Sequence, residues 1–322
     1  MTNSSQSAKP TVLIAGCGYT GLRAARIWQS RGLSVSAITR SEHKAAAFRR
    51  EGLQPLVLDL ASAEPWPVLP PANVVLWSVG YDRSSGSDRR SVWIHGLRRF
   101  LLALQPAETP RRLILTSSTS VYGDCEGLEV DESIIPRPSQ EGGQVCLEAE
   151  QLLKEFAAHS GDTFVILRLS GIYGPQRLLR RLEDLRGGIP IAANGDEWLN
   201  LVHVDDIVRT LDHVAFCHTP PALMTVVSAA GQTRQQYYET LAELARTPTP
   251  VFDSSAAVPA TGRQRGGNRR VVSQIRQACG ISFSYENCRA GLQQALAGSS
   301  MPENENGDAT ETSSLPPGRQ TR

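Results

Sequence analysis

The strongest constraint on how this chain folds is a series of short, largely apolar runs separated by turns and by segments of helical period. They are "TVLIA" (11–15), "SVSAIT" (34–39), "PLVLDL" (55–60), "NVVLWSV" (73–79), "RLILTSS" (112–118) and "TFVILRL" (163–169). Apolar residues at helical spacing lie between most of them: up to about Ser30, up to about Arg50, in "SVWIHGLRRFLLAL" and in "QEGGQVCLEAEQLL". A strand that is apolar along its whole length is buried on both faces. Such strands alternating with helices of roughly 10–15 residues form a parallel sheet covered on both sides. The pattern predicts an α/β fold with a doubly wound parallel sheet.

"GCGYTG" follows the first run and opens the first helix, with Gly16, Gly18 and Gly21 in GxGxxG spacing. In that context each glycine has a task. Gly16 permits a tight turn, Gly18 lets the backbone approach a pyrophosphate, and Gly21 lets the helix sit close to the strand, with the phosphate at the helix N-terminus. Tyr19 and Thr20 complete the loop. The motif predicts a Rossmann domain that binds NAD(P), over residues 10–175.

About 20 residues further on, an NAD site would place Asp or Glu on the ribose 2′-hydroxyl. Here the chain reads "ITRSEHK". Arg40, helped by Ser41, suits a 2′-phosphate, so NADP(H) is favoured over NAD(H); Glu42 keeps NAD(H) open. Asp59 and Leu60, after the third run, and Ser78 and Val79, after the fourth, are further cofactor contacts. Ser117 and Ser170, closing the fifth and sixth, complete the set.

Past residue 175 the alternation becomes irregular, and segments such as "NLVHVDDIVRTLDHVAF" and "QQYYETLAELAR" read as a smaller substrate-binding lobe, 176–298, partly interleaved with the sheet. Residues 1–9 and 299–322 are polar, with little to bury, and read as disordered.

With 33 basic against 32 acidic residues the net charge is +1, which gives no reason to expect a nucleic acid or a membrane surface as partner. No apolar run approaches the roughly 20 residues needed to span a bilayer. The cysteines at 17, 125, 146, 217, 279 and 288 form no CxxC pair and no metal-ligand spacing, and no leader pattern opens the chain. A cytoplasmic protein without a metal is expected, its partner a small-molecule substrate, with a homodimer as a candidate assembly. The only lysines are Lys9, Lys44 and Lys154, which limits where a catalytic ammonium could come from.

Taken in order, "GCGYTG", "TSSTSVYG", "RLSGIYGP", "NLVHVDD" and the closing "NRRVVSQIRQACGISFSYENCRAGLQQAL" resemble extended short-chain dehydrogenase/reductases of the NAD-dependent epimerase/dehydratase family. The resemblance covers roughly residues 11–297, and "TSSTSVYGD" with "NLVHVDD" looks most like the atypical, YeeZ-like subgroup. It implies a catalytic group of a Ser on the fifth strand, then a Tyr and a Lys four residues apart at the start of the next helix. In that group the Lys lowers the Tyr pKa and the Ser holds the substrate oxygen. Ser118 matches the Ser. Set against the pattern Y-G-x-S-K-L-x-x-E, "GGQVCLEAE" puts Gly142 at the Tyr and Cys146 at the Lys, with Leu147 and Glu150 matching. No YxxxK occurs anywhere in the sequence.

Two readings follow. The first is an atypical oxidoreductase or epimerase/dehydratase-like enzyme acting on a sugar nucleotide or another carbonyl/alcohol compound. Ser118, Tyr122 and His203 would then handle protons, although a tyrosine without an adjacent ammonium, with a pKa near 10, is a poor base at pH 7. The alternative is a non-catalytic NADP(H)-binding sensor or regulatory protein. Cys146 is either an activated thiol or a small buried side chain.

Overall fold

The computed structural model describes residues 9–62, 64–81, 86–177, 182–255 and 267–298. The termini expected to be disordered fall outside these residues, apart from Lys9.

Seven strands form one parallel sheet: β1 (Thr11–Ala15), β2 (Ser34–Thr39), β3 (Gln54–Val57), β4 (Val74–Trp77), β5 (Arg112–Ser118), β7 (Thr163–Leu169) and β10 (Leu223–Val226). Their order is β10-β7-β5-β4-β1-β2-β3. The chain starts in the middle, winds outward through β2 and β3, then crosses back to β4. The crossing leaves a crevice at the carboxyl ends of β1 and β4, the place where open α/β sheets bind ligands. β10 returns from the C-terminal part to the far edge, pairing Leu223 with Ile166 and Val226 with Leu169.

The helices are α1 (Gly21–Ser30), α2 (Glu42–Arg50), α3 (Leu97–Ala103), α4 (Glu141–Ser160), α5 (Leu182–Arg186), α6 (Val204–Phe216), α7 (Arg234–Ala245), α8 (Gln274–Ala278) and α9 (Cys288–Gly298). Strand alternation divides the core. Leu13 and Ala15 of β1 face α3 and α4, packing with Phe100, Val145 and Leu153. Val12 and Ile14 face α1 and α6, packing with Ala25, Trp28, Ile207 and Leu211. A third cluster, with Tyr173, Leu185, Tyr237, Leu241 and Leu292, lies in the C-terminal part. Two short parallel pairs, β6 (Glu129–Val130) with β11 (Arg270–Val271) and β8 (Gly171–Tyr173) with β9 (Leu201–His203), tie that part to the loops after β5 and β7.

Two elements differ from the sequence expectation. The third run ends as a strand at Val57, because the Asp59 carboxylate accepts from the Ala61 N–H (2.9 Å) and turns the chain. The helix expected over "SVWIHGLRRFLLAL" opens with a π-helical segment, Ser91–Gly96, before α3. Gly96 is required there, since a Cβ would stand 2.7 Å from the Leu60 carbonyl oxygen. Among the described residues no helix is long and apolar enough to cross a membrane.

Candidate active site

The loop between β1 and α1 is fixed by backbone contact. Gly16 has φ +86°, and a Cβ on it would lie 2.5 Å from the backbone of Ser78 and Val79. A Cβ on Gly21 would meet the Gly16 carbonyl oxygen at 2.5 Å. Around Gly18 there is nothing within 4 Å of such an atom, so the loop is closed on the protein side and open on the other. Thr20 occupies the N-cap of α1 without a side-chain capping bond, which leaves the helix N-terminus to an outside acceptor. Tyr19 donates to the Pro175 carbonyl oxygen (2.9 Å), and the guanidinium groups of Arg23 and Arg177 lie 4.0 and 5.1 Å from its ring centre. Burial pushes the Tyr19 phenol up to about 12, so it stays neutral.

At the end of β2, Arg40 is exposed and Ser41 caps α2, accepting from the Lys44 N–H at 3.3 Å. The Glu42 carboxylate lies along α2, 3.8 Å from Arg49. Asp59 is exposed and Leu60 buried after β3. At the end of β7 the hydroxyl of Ser170 is buried and, among the described residues, has no partner.

Beneath the carboxyl end of β5 lies a buried charged group. Ser117 donates to Glu150 (2.6 Å), and Glu150 forms a two-point ion pair with Arg168 of β7, at 3.0 and 2.8 Å. The two charged side chains are 0% and 3% exposed. Arg168 in turn lies 5.0 Å from the Tyr122 ring centre. Tyr122 is itself within the core, sharing a hydrogen bond with Thr225 of β10 (3.0 Å), and burial raises its pKa. Ser118 is half-buried, and its hydroxyl accepts from the Ser120 N–H at 3.1 Å.

His203 is fully buried at the N-cap of α6. Its Nδ1 accepts from the Asp205 N–H (3.2 Å), so the ring proton sits on Nε2 and is donated to Gln294 Oε1 (3.1 Å). Burial lowers its pKa against the opposing field of Asp205. Asp206, also buried, accepts from the N–H groups of Ser284 and Tyr285. His203 and Tyr122 therefore each have a partner inside the protein. Among the described residues no group of three or more His, Cys, Asp or Glu is arranged to hold a metal.

A model of the NAD dependent epimerase/dehydratase family matches residues 12–217, which contain all of these residues except β10, Ser284, Tyr285 and Gln294. The chain belongs to the NAD dependent epimerase/dehydratase family. It is 26% identical over 280 residues to Protein YeeZ of Escherichia coli strain K12, covering 85% of this chain and 95% of that one. Among solved structures it is similar to a functionally unknown conserved protein from Silicibacter pomeroyi DSS, with TM-score 0.72, 26% identity, and 90% and 99% of the two chains covered. The UDP-glucose 4-epimerase of Thermus thermophilus, solved with NAD, shares the fold: TM-score 0.71 at 19% identity, covering 89% and 98%.

The start of α4 is where the resemblance implies a Tyr and a Lys. A Cβ on Gly143 would stand 2.5 Å from the Ser120 carbonyl oxygen and 2.8 Å from Pro138, so close packing demands glycine there. Gly142 has no such reason: its nearest neighbour is a guanidinium nitrogen of Arg89, at 3.5 Å. Cys146 is buried, with Ser117 and Ser120 in hydrogen-bonding reach, and burial pushes its thiol up to about 12. It is a neutral, small side chain at pH 7, which answers against an activated thiol.

Sequence reasoning overlooked two residues near this site. Arg168 did carry a signal, because a charge inside "TFVILRL" demands a buried partner, and Glu150 is that partner. Arg89 sits in the polar segment "DRR" and gave none.

Proposed function

We propose that this protein is an NADP(H)-preferring oxidoreductase or epimerase/dehydratase-like enzyme, acting on a sugar nucleotide or another carbonyl/alcohol compound without a tyrosine–lysine pair. One observation carries the nucleotide part. The β1–α1 loop is pressed to backbone contact at Gly16 and Gly21 and left open at Gly18, which fits a pyrophosphate at an uncapped helix N-terminus. Gly16, Gly18, Tyr19, Thr20 and Gly21 would hold the phosphates, with Ser78, Val79 and the unpartnered Ser170 hydroxyl nearer the reacting end. Arg40 and Ser41 would take the 2′-phosphate, supported by the Glu42 carboxylate lying toward Arg49. When bound, the nucleotide would supply hydride transfer. Ser118 orients the substrate oxygen, while the Glu150–Arg168 pair fixes Ser117 below it. A homodimer belongs to the proposal.

The sensor reading is favoured by a different observation. Cys146, Tyr122 and His203 are all buried and held in their neutral forms, leaving none of them ready to exchange a proton with a substrate.

Fluorescence titration of the purified protein with NADPH and NADH tests the nucleotide part. NADPH should bind more tightly, Gly18→Asp should weaken both at least tenfold, and Arg40→Ala should weaken NADPH selectively. Unchanged binding by Gly18→Asp would overturn the assignment. Turnover of an aldehyde, ketone or sugar-nucleotide panel, followed at the nicotinamide band, supports the enzyme. Tight binding with no turnover across the panel supports the sensor. Light scattering at a monomer mass would remove the dimer.

A further inference from the structure

Arg89 is the one feature at the start of α4 that the fold does not explain. It precedes the π-helical segment, and its neighbour Arg90 is satisfied by Glu148, at 2.7 and 2.8 Å. Arg89 makes no such pair. Among the described residues it has no carboxylate partner, and its Nε is buried without a hydrogen bond. Its guanidinium stacks on Tyr81, 4.3 Å from the ring centre, which orients the plane without consuming any of its N–H groups. One of its terminal nitrogens lies 3.5 Å from where a Cβ on Gly142 would be, and its field acts on the Cys146 thiol. Arg89 thus occupies the ground over the two residues, 142 and 146, at which the family pattern calls for Tyr and Lys.

A guanidinium is always charged and cannot serve as a proton donor, so it does not replace a tyrosine as an acid. What it offers is a planar fork of donors matched to two coplanar oxygens. Holding such a cation beside a missing side chain, unpaired, has a cost that an anionic ligand would offset. The ligand is not the 2′-phosphate proposed at Arg40. α4 packs on β5, which lies three strand positions from β2 in the sheet, about 14 Å from the Arg40 end at the usual strand spacing.

We propose that Arg89, backed by Tyr81 and lying across the bare backbone of Gly142, forms a binding site for an oxyanion of the substrate, a carboxylate or a phosphate. The proposal rests on the reading above that the crevice binds a nicotinamide nucleotide, and it narrows the substrate to an anionic compound. With no side chain at position 142, the guanidinium can rest against the helix start and present its remaining donors to that anion.

The test titrates the protein, with and without saturating NADPH, with oxamate as the carboxylate probe and with inorganic phosphate, read by calorimetry and by nicotinamide fluorescence. One probe should bind with one-to-one stoichiometry, and the preferred probe identifies carboxylate or phosphate as the recognised group. Arg89→Ala should weaken it at least tenfold and Arg89→Lys should recover only part of the loss, because a lysine ammonium lacks the fork. Gly142→Phe keeps the arginine but pushes its guanidinium off the helix start; it too should abolish anion binding. Circular dichroism melts establish that each variant is folded, and NADPH affinity should stay within about twofold in all three. Equal anion affinity in Arg89→Ala and the unsubstituted protein, or no binding of either probe, overturns the proposal. Failure of NADPH to bind overturns the nucleotide reading instead, and calorimetry without nucleotide still reads the Arg89 site.

Discussion

Two glycine-bearing helix starts lie at the carboxyl edge of the sheet, and they differ in what holds them. At the β1–α1 loop, Gly16 and Gly21 are held by backbone atoms at 2.5 Å, and Gly18 faces open space. At the start of α4, Gly143 is held in the same way by Ser120, but Gly142 is not held at all and Cys146 is a neutral buried thiol. The first region is fixed in shape and leaves one glycine open. The second holds its shape through Gly143, Val145, Ala149 and Glu150 and has neither a Tyr nor a Lys in its first two turns. Packing and chemistry are separable constraints on the same helix, and the packing is the part that the fold enforces.

The largest test of that separation is Glu150→Ala. If Glu150 serves packing, its loss leaves Arg168 charged and buried, and the Ser117 hydroxyl without its acceptor. Removing one member of a buried ion pair costs about 3–5 kcal/mol. Urea unfolding should show a loss of that size, whereas a loss below about 1 kcal/mol would mean that the pair is not structural and would return Glu150 to the set of candidate reacting groups.

How much of this was legible in the sequence follows from the range of each interaction. β1, β2, β5 and β7 begin and end where the apolar runs do, at 11–15, 34–39, 112–118 and 163–169, because a buried parallel strand is written continuously in the chain. The glycine loop was legible for the same reason, all its parts lying within six residues. The partners of the candidate proton-handling residues were not. Tyr122 meets Thr225, 103 positions away, and His203 meets Gln294, 91 positions away. Nothing local to "SVYG" or "VHVDD" records those contacts. Arg89 and Gly142 are likewise far apart in the chain, and only the packing of α4 on the π-helical segment brings them together.

A pair of single-methyl changes within α4 gives a smaller effect with opposite signs. Gly143→Ala forces a Cβ into the Ser120 carbonyl and Pro138, an overpacking that costs about 1–3 kcal/mol. Gly142→Ala adds the same atom one residue earlier, at ordinary contact distance from Arg89, and should stabilise the helix by up to about 1 kcal/mol. Thermal melts of the two variants measure both. Equal destabilisation would show that position 142 is constrained by packing after all, and the separation drawn here between shape and chemistry would fail at its central residue.

The smallest effect concerns pH and His203. Its folded pKa is lowered, chiefly by burial, so the folded protein binds fewer protons there than the unfolded chain, whose imidazole titrates near 6.5. The sign follows from linkage. Stability from this residue is present above about 6.5 and is lost as the pH falls below that value towards the folded pKa. Asp205, Tyr173, Tyr285 and Arg23 surround the ring and do not reverse the direction. His203→Asn retains an acceptor for the N-cap of α6 and cannot titrate. Its melting temperature should therefore fall less steeply than that of the unsubstituted protein between about pH 6.5 and 5. A proton-shuttling histidine open to the crevice would titrate in the folded state, and the two slopes would coincide. Coincident slopes would place working acid–base chemistry back beside the glycine loop, whereas a flatter slope in the variant leaves His203 as a buried cap.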